Sequence, residues 1–140
     1  MYNKQTGAVS EDMGKFLLRV TLALLILLHG IAKILGGVGF ITGLVTKIGL
    51  PSAFAYAVYV GEVIAPLLVL FGVWTRPAAL VIAINMLFAI FLVHMPELTT
   101  LGKTGGWALE LQGMFLASAL AVALLGAGRY SIGGSGGRWN

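Results

Sequence analysis

Residues 16–35 read Phe-Leu-Leu-Arg-Val-Thr-Leu-Ala-Leu-Leu-Ile-Leu-Leu-His-Gly-Ile-Ala-Lys-Ile-Leu. Twenty residues of helix rise roughly 30 Å, the thickness of a bilayer's hydrocarbon layer, so this stretch is long and apolar enough to cross it. Three ionisable residues, Arg19, His29 and Lys33, interrupt it. Charge at such depth is costly and marks a candidate functional or packing site. The rest of the chain repeats the pattern: hydrophobic residues make up 59% and charged residues 10%, far from the balance of a soluble domain. Ala53–Trp74, Ala78–Met95 and Trp107–Gly126 are three more runs of spanning length.

The fold class expected is therefore an all-α membrane protein, a four transmembrane helix bundle with a short interfacial helix between helices one and two. Residues 1–15 form a cytoplasmic N-terminal segment, 16–128 the transmembrane domain and 129–140 a Gly-rich cytoplasmic tail, mobile around Gly133–Gly137. The first span is read as retained rather than cleaved, because it ends in Gly36-Gly37-Val38-Gly39 without a small-x-small site and other spans follow.

Composition excludes several chemistries. With no cysteine, disulfide relays, thiolate zinc sites and iron–sulfur ligation are out of reach, and no metal site is expected. The net charge of +4 and pI near 9.7 rest on a few scattered cations, read as topological signals and not as a nucleic-acid surface. Lys4, Lys15, Arg76, Arg129 and Arg138 fall on one side of the expected membrane and Lys47 and Lys103 on the other. The positive-inside rule then puts both termini in the cytoplasm of a multi-pass protein.

The connections are unequal. Gly72-Val73-Trp74-Thr75-Arg76-Pro77 reads as a tight hairpin with Pro77 in the first turn of the next helix, so helices two and three are neighbours. Phe40, Ile41, Leu44, Val45 and Ile48 recur at helical spacing, which predicts the interfacial helix, ended by Gly49 and Pro51. The stretch from Pro96 to Gly106 reads as a hydrated outer loop. Ala53, Ala57, Gly61 and Ala65 on helix two, and Gly113, Ala117 and Ala121 on helix four, form stripes that predict close packing of these two helices or a homodimer or other membrane-subunit contact. Pro66 predicts a kink that frees the Glu62 carbonyl.

Helical rise sets the depth of the polar groups. His29, Lys33, Glu62, Glu110 and His94 all fall in the outer half, with Glu62 deepest, roughly 14 Å in. The economical arrangement pairs Lys33 with Glu110 near the surface and His29 with Glu62 below, around a partly hydrated cavity. Lys33 has a snorkelling alternative, His94 a plain interfacial role, and Arg19 can snorkel, bond Asn85 or reach Glu62. Glu62 is too short to snorkel and must be protonated, paired or hydrated.

Arg19, the run His29-Gly30-Ile31-Ala32-Lys33-Ile34, the Gly-Leu-Pro before helix two, Gly61-Glu62 followed by Leu70-Phe71-Gly72-Val73-Trp74-Thr75-Arg76, and the apolar third helix together resemble the DoxX family of small bacterial membrane proteins. The resemblance covers about Lys15 to Gly128. It implies a four-helix protein of the bacterial inner membrane, some of whose relatives are associated with sulfur oxidation, thiosulfate:quinone oxidoreduction or oxidative-stress complexes. By matching position Arg19, Lys33 and Glu62 are the family-like polar residues, with His29 and Glu110 weaker transfers.

Three functions compete. The first is a redox-associated subunit that binds a quinone or similar amphiphile in the outer-half cavity, where a histidine and a carboxylate can hydrogen-bond carbonyls. No cofactor motif is evident, and a haem between His29 and His94 is disfavoured by a depth mismatch of roughly 8 Å. The second is a small transporter or proton-coupled channel using Glu62 and Lys33. The third is a noncatalytic assembly partner.

Overall fold

The computed structural model describes residues 4–140; the first three residues of the expected N-terminal segment lie outside it. Among the described residues the secondary structure is helical, with one isolated bridge, Leu101–Trp107, and no strand. Helix α1 runs from Lys4 to Gly36, so the helix begins well before the apolar run. Its polar first turns are supported by the i,i+4 pair Glu11–Lys15 at 2.7 Å, and Asp12 Oδ1 accepts the Arg129 amide. The helix stops where Gly37, at φ 79°, turns the chain. Helix α2 covers Gly39–Lys47, at the predicted place, and its Val45 packs with Val38 and Ala55.

Helix α3, Ser52–Phe71, and helix α4, Thr75–Glu97, are composites, and with α1 they are the three helices long and apolar enough to cross a membrane. Helix α5, Glu110–Leu125, is apolar but has 16 residues, about 24 Å of rise. That is shorter than the expected Trp107–Gly126. Trp107 leaves the helix because its ring lies over Gly113, where an added Cβ would stand 2.8 Å from it, and its indole N–H donates to the Leu98 carbonyl at 2.8 Å. The loop from Pro96 to Gly106 is thereby tied back on itself.

The four apolar helices form a ring in which α1 touches α3 and α5, and α4 touches α3 and, most extensively, α5. The small-residue stripes, expected to mark tight contacts of helices two and four, are used only in part. On α3 the stripe is broken: Gly61 and Ala65 are buried while Ala53 and Ala57 are exposed. The break is a π turn at Val60–Ile64, where the Ala65 amide reaches back to the Val60 carbonyl. This extra residue also absorbs Pro66, whose missing N–H falls at the start of the following α segment, so the expected proline break coincides with a π turn. On α5 the buried positions are Phe115, Ala119 and Val122, beside the expected stripe and not on it.

The core fills the half of the ring below Glu62, with Leu22, Ile26, Val69, Ile82 and Ala119 at its centre. Two arginines close that end. Arg76 Nη1 donates to the carbonyls of Ala123 and Leu124 at the end of α5, at 3.0 and 2.8 Å. Arg19, 1% exposed, donates to Val69 at 2.9 Å and Leu70 at 2.5 Å at the end of α3, to Ala127 at 3.1 Å, and to Tyr130. Helix C-termini carry unpaired carbonyls and a partial negative charge, which cations complement. Gly72 makes this possible: at φ 69° it ends α3 in a left-handed turn, and a Cβ there would collide with Ser131 and stand 3.2 Å from the Arg19 guanidinium. The Gly-rich tail, expected to be mobile, is folded across the same end. Asn140 is buried, its Oδ1 accepts from Thr75 Oγ1 at 3.0 Å, and its Nδ2 donates to the Gly134 carbonyl at 2.7 Å.

Candidate functional site

Above the core the ring opens into a cavity of about 680 Å³, large enough for an amphiphile's head and part of its chain. Its walls are mostly apolar, including Phe40, Leu44, Phe54, Val81, Phe88 and Leu92. Of the candidates, His29, Lys33, Glu62, Asn85 and His94 line it. Arg19 and Glu110 do not.

The deepest polar group is Glu62, 5% exposed. Lys33 Nζ lies 2.5 Å from its Oε2 and Asn85 Nδ2 donates to its Oε1 at 3.3 Å. The expected Lys33–Glu110 and His29–Glu62 pairs are thus replaced by Lys33–Glu62. The reason is backbone geometry: Gly30 packs directly on the Glu62 carbonyl, and a Cβ there would collide with it. That contact puts Glu62 at the level of Gly30, one turn below Lys33, within the reach of a lysine stem. Gly61 plays the same part toward α4, where a Cβ would stand 2.5 Å from Asn85 Cγ. The Tyr59 hydroxyl donates to the Lys33 carbonyl at 3.1 Å and fastens the end of α1 to α3.

Glu110 begins α5 instead of lying within it, and is exposed, its carboxylate resting on Gly106. At a helix N-terminus an acid is favoured by the free amides, so it needs no lysine. Arg19 reaches neither Asn85 nor Glu62; it is taken up by the four backbone carbonyls at the opposite end. His29 stands edge-on to Phe115, ring centres 5.8 Å apart, and has no hydrogen-bonding side-chain partner among the described residues.

His94 is more than an interfacial residue. Its Nδ1 lies 2.9 Å from Glu97 Oε2 and its Nε2 lies 3.1 Å from Gln112 Nε2. A carboxylate only accepts, so Nδ1 carries the proton in the neutral ring, Nε2 accepts, and the amide's NH₂ end faces it. That leaves Gln112 Oε1 buried without a partner, the one such side-chain atom among the described residues, at a cost of about 1–3 kcal/mol. Sequence reading passed over Gln112, since it carries no charge; its isolation in an apolar run was the available signal.

The site has a definite donor–acceptor balance. Each Glu62 oxygen accepts one hydrogen bond and has room for another, whereas a lysine has three N–H donors and Lys33 spends one on Glu62. Lys33 and His29 therefore offer donors to the cavity, while Lys33 and Glu62 together contribute no net charge. Such a station suits a neutral acceptor such as a carbonyl better than a second cation or a bare anion. No group of three or more metal-ligating side chains occurs among the described residues.

Comparison with known proteins places the chain among relatives. The DoxX family model matches residues 14–95. The chain is 36% identical over 86 residues to the Bacillus subtilis (strain 168) protein named "Putative oxidoreductase CatD", covering 61% of this chain and 63% of that protein. It is 32% identical over 78 residues to an uncharacterized protein of Haemophilus influenzae (strain ATCC 51907 / DSM 11121 / KW20 / Rd), covering 56% and 57%. The matched stretch spans less than two thirds of the length of each of these relatives. No solved structure matches the chain with significance.

Proposed function

The chain belongs to the DoxX family, and on that premise we propose that it is a redox-associated subunit of the bacterial inner membrane that binds a quinone or similar neutral, carbonyl-bearing amphiphile. The observation that carries this reading is the apolar cavity of about 680 Å³ with Lys33 and His29 as donors on its wall. A carbonyl head accepts from those donors while an isoprenoid or alkyl tail lies along Phe88, Leu92 and Phe40. The oxidoreductase name of a relative supports the redox association. The chain's own residues bind and orient the head and hold protons near it; electrons come from and go to another subunit.

In this reading α1, α3, α4 and the shorter α5 all cross the bilayer, and α2 lies in the outer interface. Both termini face the cytoplasm, where Arg19 and Arg76 close the bundle. The test is extraction of the purified, detergent-solubilised protein and analysis of the extract for quinone, followed by titration with a short-tailed benzoquinone. Stoichiometric retention or saturable binding, lost in Lys33→Met, is expected. A protein that carries no quinone and binds none removes the reading.

A further inference from the structure

The end of the bundle away from the cavity presents apolar side chains on backbone that is held in place. Ile132 is 76% exposed, Trp139 56% and Trp74 66%, and none of the three lines the cavity. Main-chain bonds fix their height. The Ile132 and Gly133 amides donate to the Phe71 and Gly72 carbonyls at 2.9 and 3.1 Å, and the Arg76 amide donates to the Trp139 carbonyl at 3.0 Å. Phe71 and Thr75 are where two helices long and apolar enough to cross a membrane end and begin. Backbone bonded there lies at the level of the lipid headgroups, where tryptophan is favoured because its ring is apolar and its N–H is polar.

Trp74 adds an observation of its own. It is the one non-glycine residue with positive φ among the described residues, at 48°, a region in which a bulky side chain is strained and glycine is not. The turn from α3 into α4 accepts that strain and leaves an indole outside the bundle, next in the chain to Thr75 and Arg76, which bond Asn140 and Trp139.

The charge at this end is positive. Lys15, Arg19, Arg76, Arg129 and Arg138 stand against two side-chain carboxylates, Glu11 and Asp12. Lys15 is paired with Glu11, and Arg19 and Arg76 are committed to backbone carbonyls. Arg129 and Arg138 remain, both exposed, and neither has a salt-bridge partner among the described residues. Asp12 and Arg129 line one small pocket, which offsets part of the Arg129 charge and leaves Arg138 the stronger pole. The Arg138 guanidinium stands over the Trp139 ring, 5.3 Å from its centre, so cation and apolar ring are presented together.

We propose that the tail, residues 129–140, is a membrane anchor selective for anionic phospholipid: Ile132, Trp139 and Trp74 enter the interface, and Arg138, with Arg129, binds the headgroup phosphate. A zwitterionic headgroup carries its own cation beside the phosphate, whereas an anionic one such as phosphatidylglycerol leaves its charge to the arginines. One arginine near an anionic surface is worth about fivefold in lipid preference. The anchor is independent of what the cavity holds and of which leaflet this end meets.

The experiment uses the full, cysteine-free chain with Ile132→Cys carrying a fluorophore. The labelled protein is reconstituted in vesicles of chain-brominated phosphatidylcholine, which quenches a fluorophore in contact with the acyl region, mixed with rising proportions of unbrominated phosphatidylglycerol or unbrominated phosphatidylcholine. Quenching is expected in the brominated lipid, relieved about fivefold more effectively by phosphatidylglycerol than by phosphatidylcholine. Arg138→Gln should bring that ratio close to one, Arg129→Gln should lower it less, and Arg138→Lys should keep most of it. A label that brominated lipid does not quench places the tail in water and overturns the proposal. Equal relief by the two lipids overturns it, as does a preference unchanged in Arg138→Gln or lost as fully in Arg138→Lys. Arg138 is exposed, so these variants leave the bundle intact, and none of the outcomes bears on quinone binding.

Discussion

Arg19 offers the sharpest separation of scaffold from site. It is buried in the first span, as a site residue would be, yet it donates to four backbone carbonyls at the end away from the cavity. In Arg19→Met the Val69 carbonyl keeps a second donor, the Gly72 amide at 3.1 Å, so Leu70, Ala127 and Tyr130 are the carbonyls that lose theirs. One buried and two part-buried carbonyls at the low end of the usual cost, since Tyr130 is at the surface and water can reach its flank, give about 3–5 kcal/mol. Arg19→Lys keeps the charge and up to three donors but not the planar fork, and should cost about 1–3 kcal/mol. Both variants can be followed by denaturation in detergent micelles using tryptophan fluorescence, because Trp74 and Trp139 flank this end. Quinone affinity of the folded fraction should equal the parent's. Should Arg19→Met prove as stable as the parent within about 0.5 kcal/mol, or lose ligand with stability intact, the clamp is not what holds this end.

The Lys33–Glu62 pair should show positive coupling in a double-mutant cycle: Glu62→Leu and Lys33→Met each destabilise, and together they cost less than their sum by about 1–3 kcal/mol, a value limited by the partial exposure of Lys33. Additive effects would mean that the contact carries no energy. Gly61→Ala should cost about 1–3 kcal/mol by overpacking and weaken quinone binding by displacing Asn85, whereas Gly43→Ala, with open space around it, should be silent in both assays; a silent Gly61→Ala would contradict the close approach of α3 to α4. In this cysteine-free background Thr46→Cys and Thr100→Cys should react with an impermeant maleimide added outside intact cells, and reaction of Thr100→Cys from the cytoplasmic side alone would invert the orientation.

How much of this was legible in the residues depends on the scale of the feature. Long apolar runs announce helices because a segment in hydrocarbon must satisfy its backbone polar groups within itself, and the Gly72–Pro77 hairpin was readable because glycine and proline constrain the backbone directly. That Lys33, His29, Glu62 and His94 meet on one cavity followed from rise per residue along helices of alternating direction. Pairing was not legible, because it turned on where Gly30 lets two backbones touch, and a lysine stem makes depth a loose guide to partner. Glu110 was misplaced for a related reason: Trp107 looks like the first residue of a helix until its indole finds the Leu98 carbonyl and its ring finds Gly113. The docking of the tail's end was not legible, since a glycine-rich composition does not announce that Asn140 bonds Thr75 and Gly134.

The π turns in α3 and α4, at Val60–Ile64 and Ile90–His94, divide the molecule across its height. A π turn is one surplus residue, so the helix above it is out of phase with the helix below by about one residue's rotation, roughly 100°. The segments below the turns can thus keep the register that packs Val69 against Ile82, while the turns themselves carry Glu62 and His94 toward the cavity. Two sets of side chains with different demands share one pair of helices without compromise. Sequence changes at Val69 or Ile82 can alter how firmly the bundle stands while Glu62 and His94 keep their places on the cavity wall, whereas Val81, Asn85 and Phe88, below the turn of α4, belong to that wall as well.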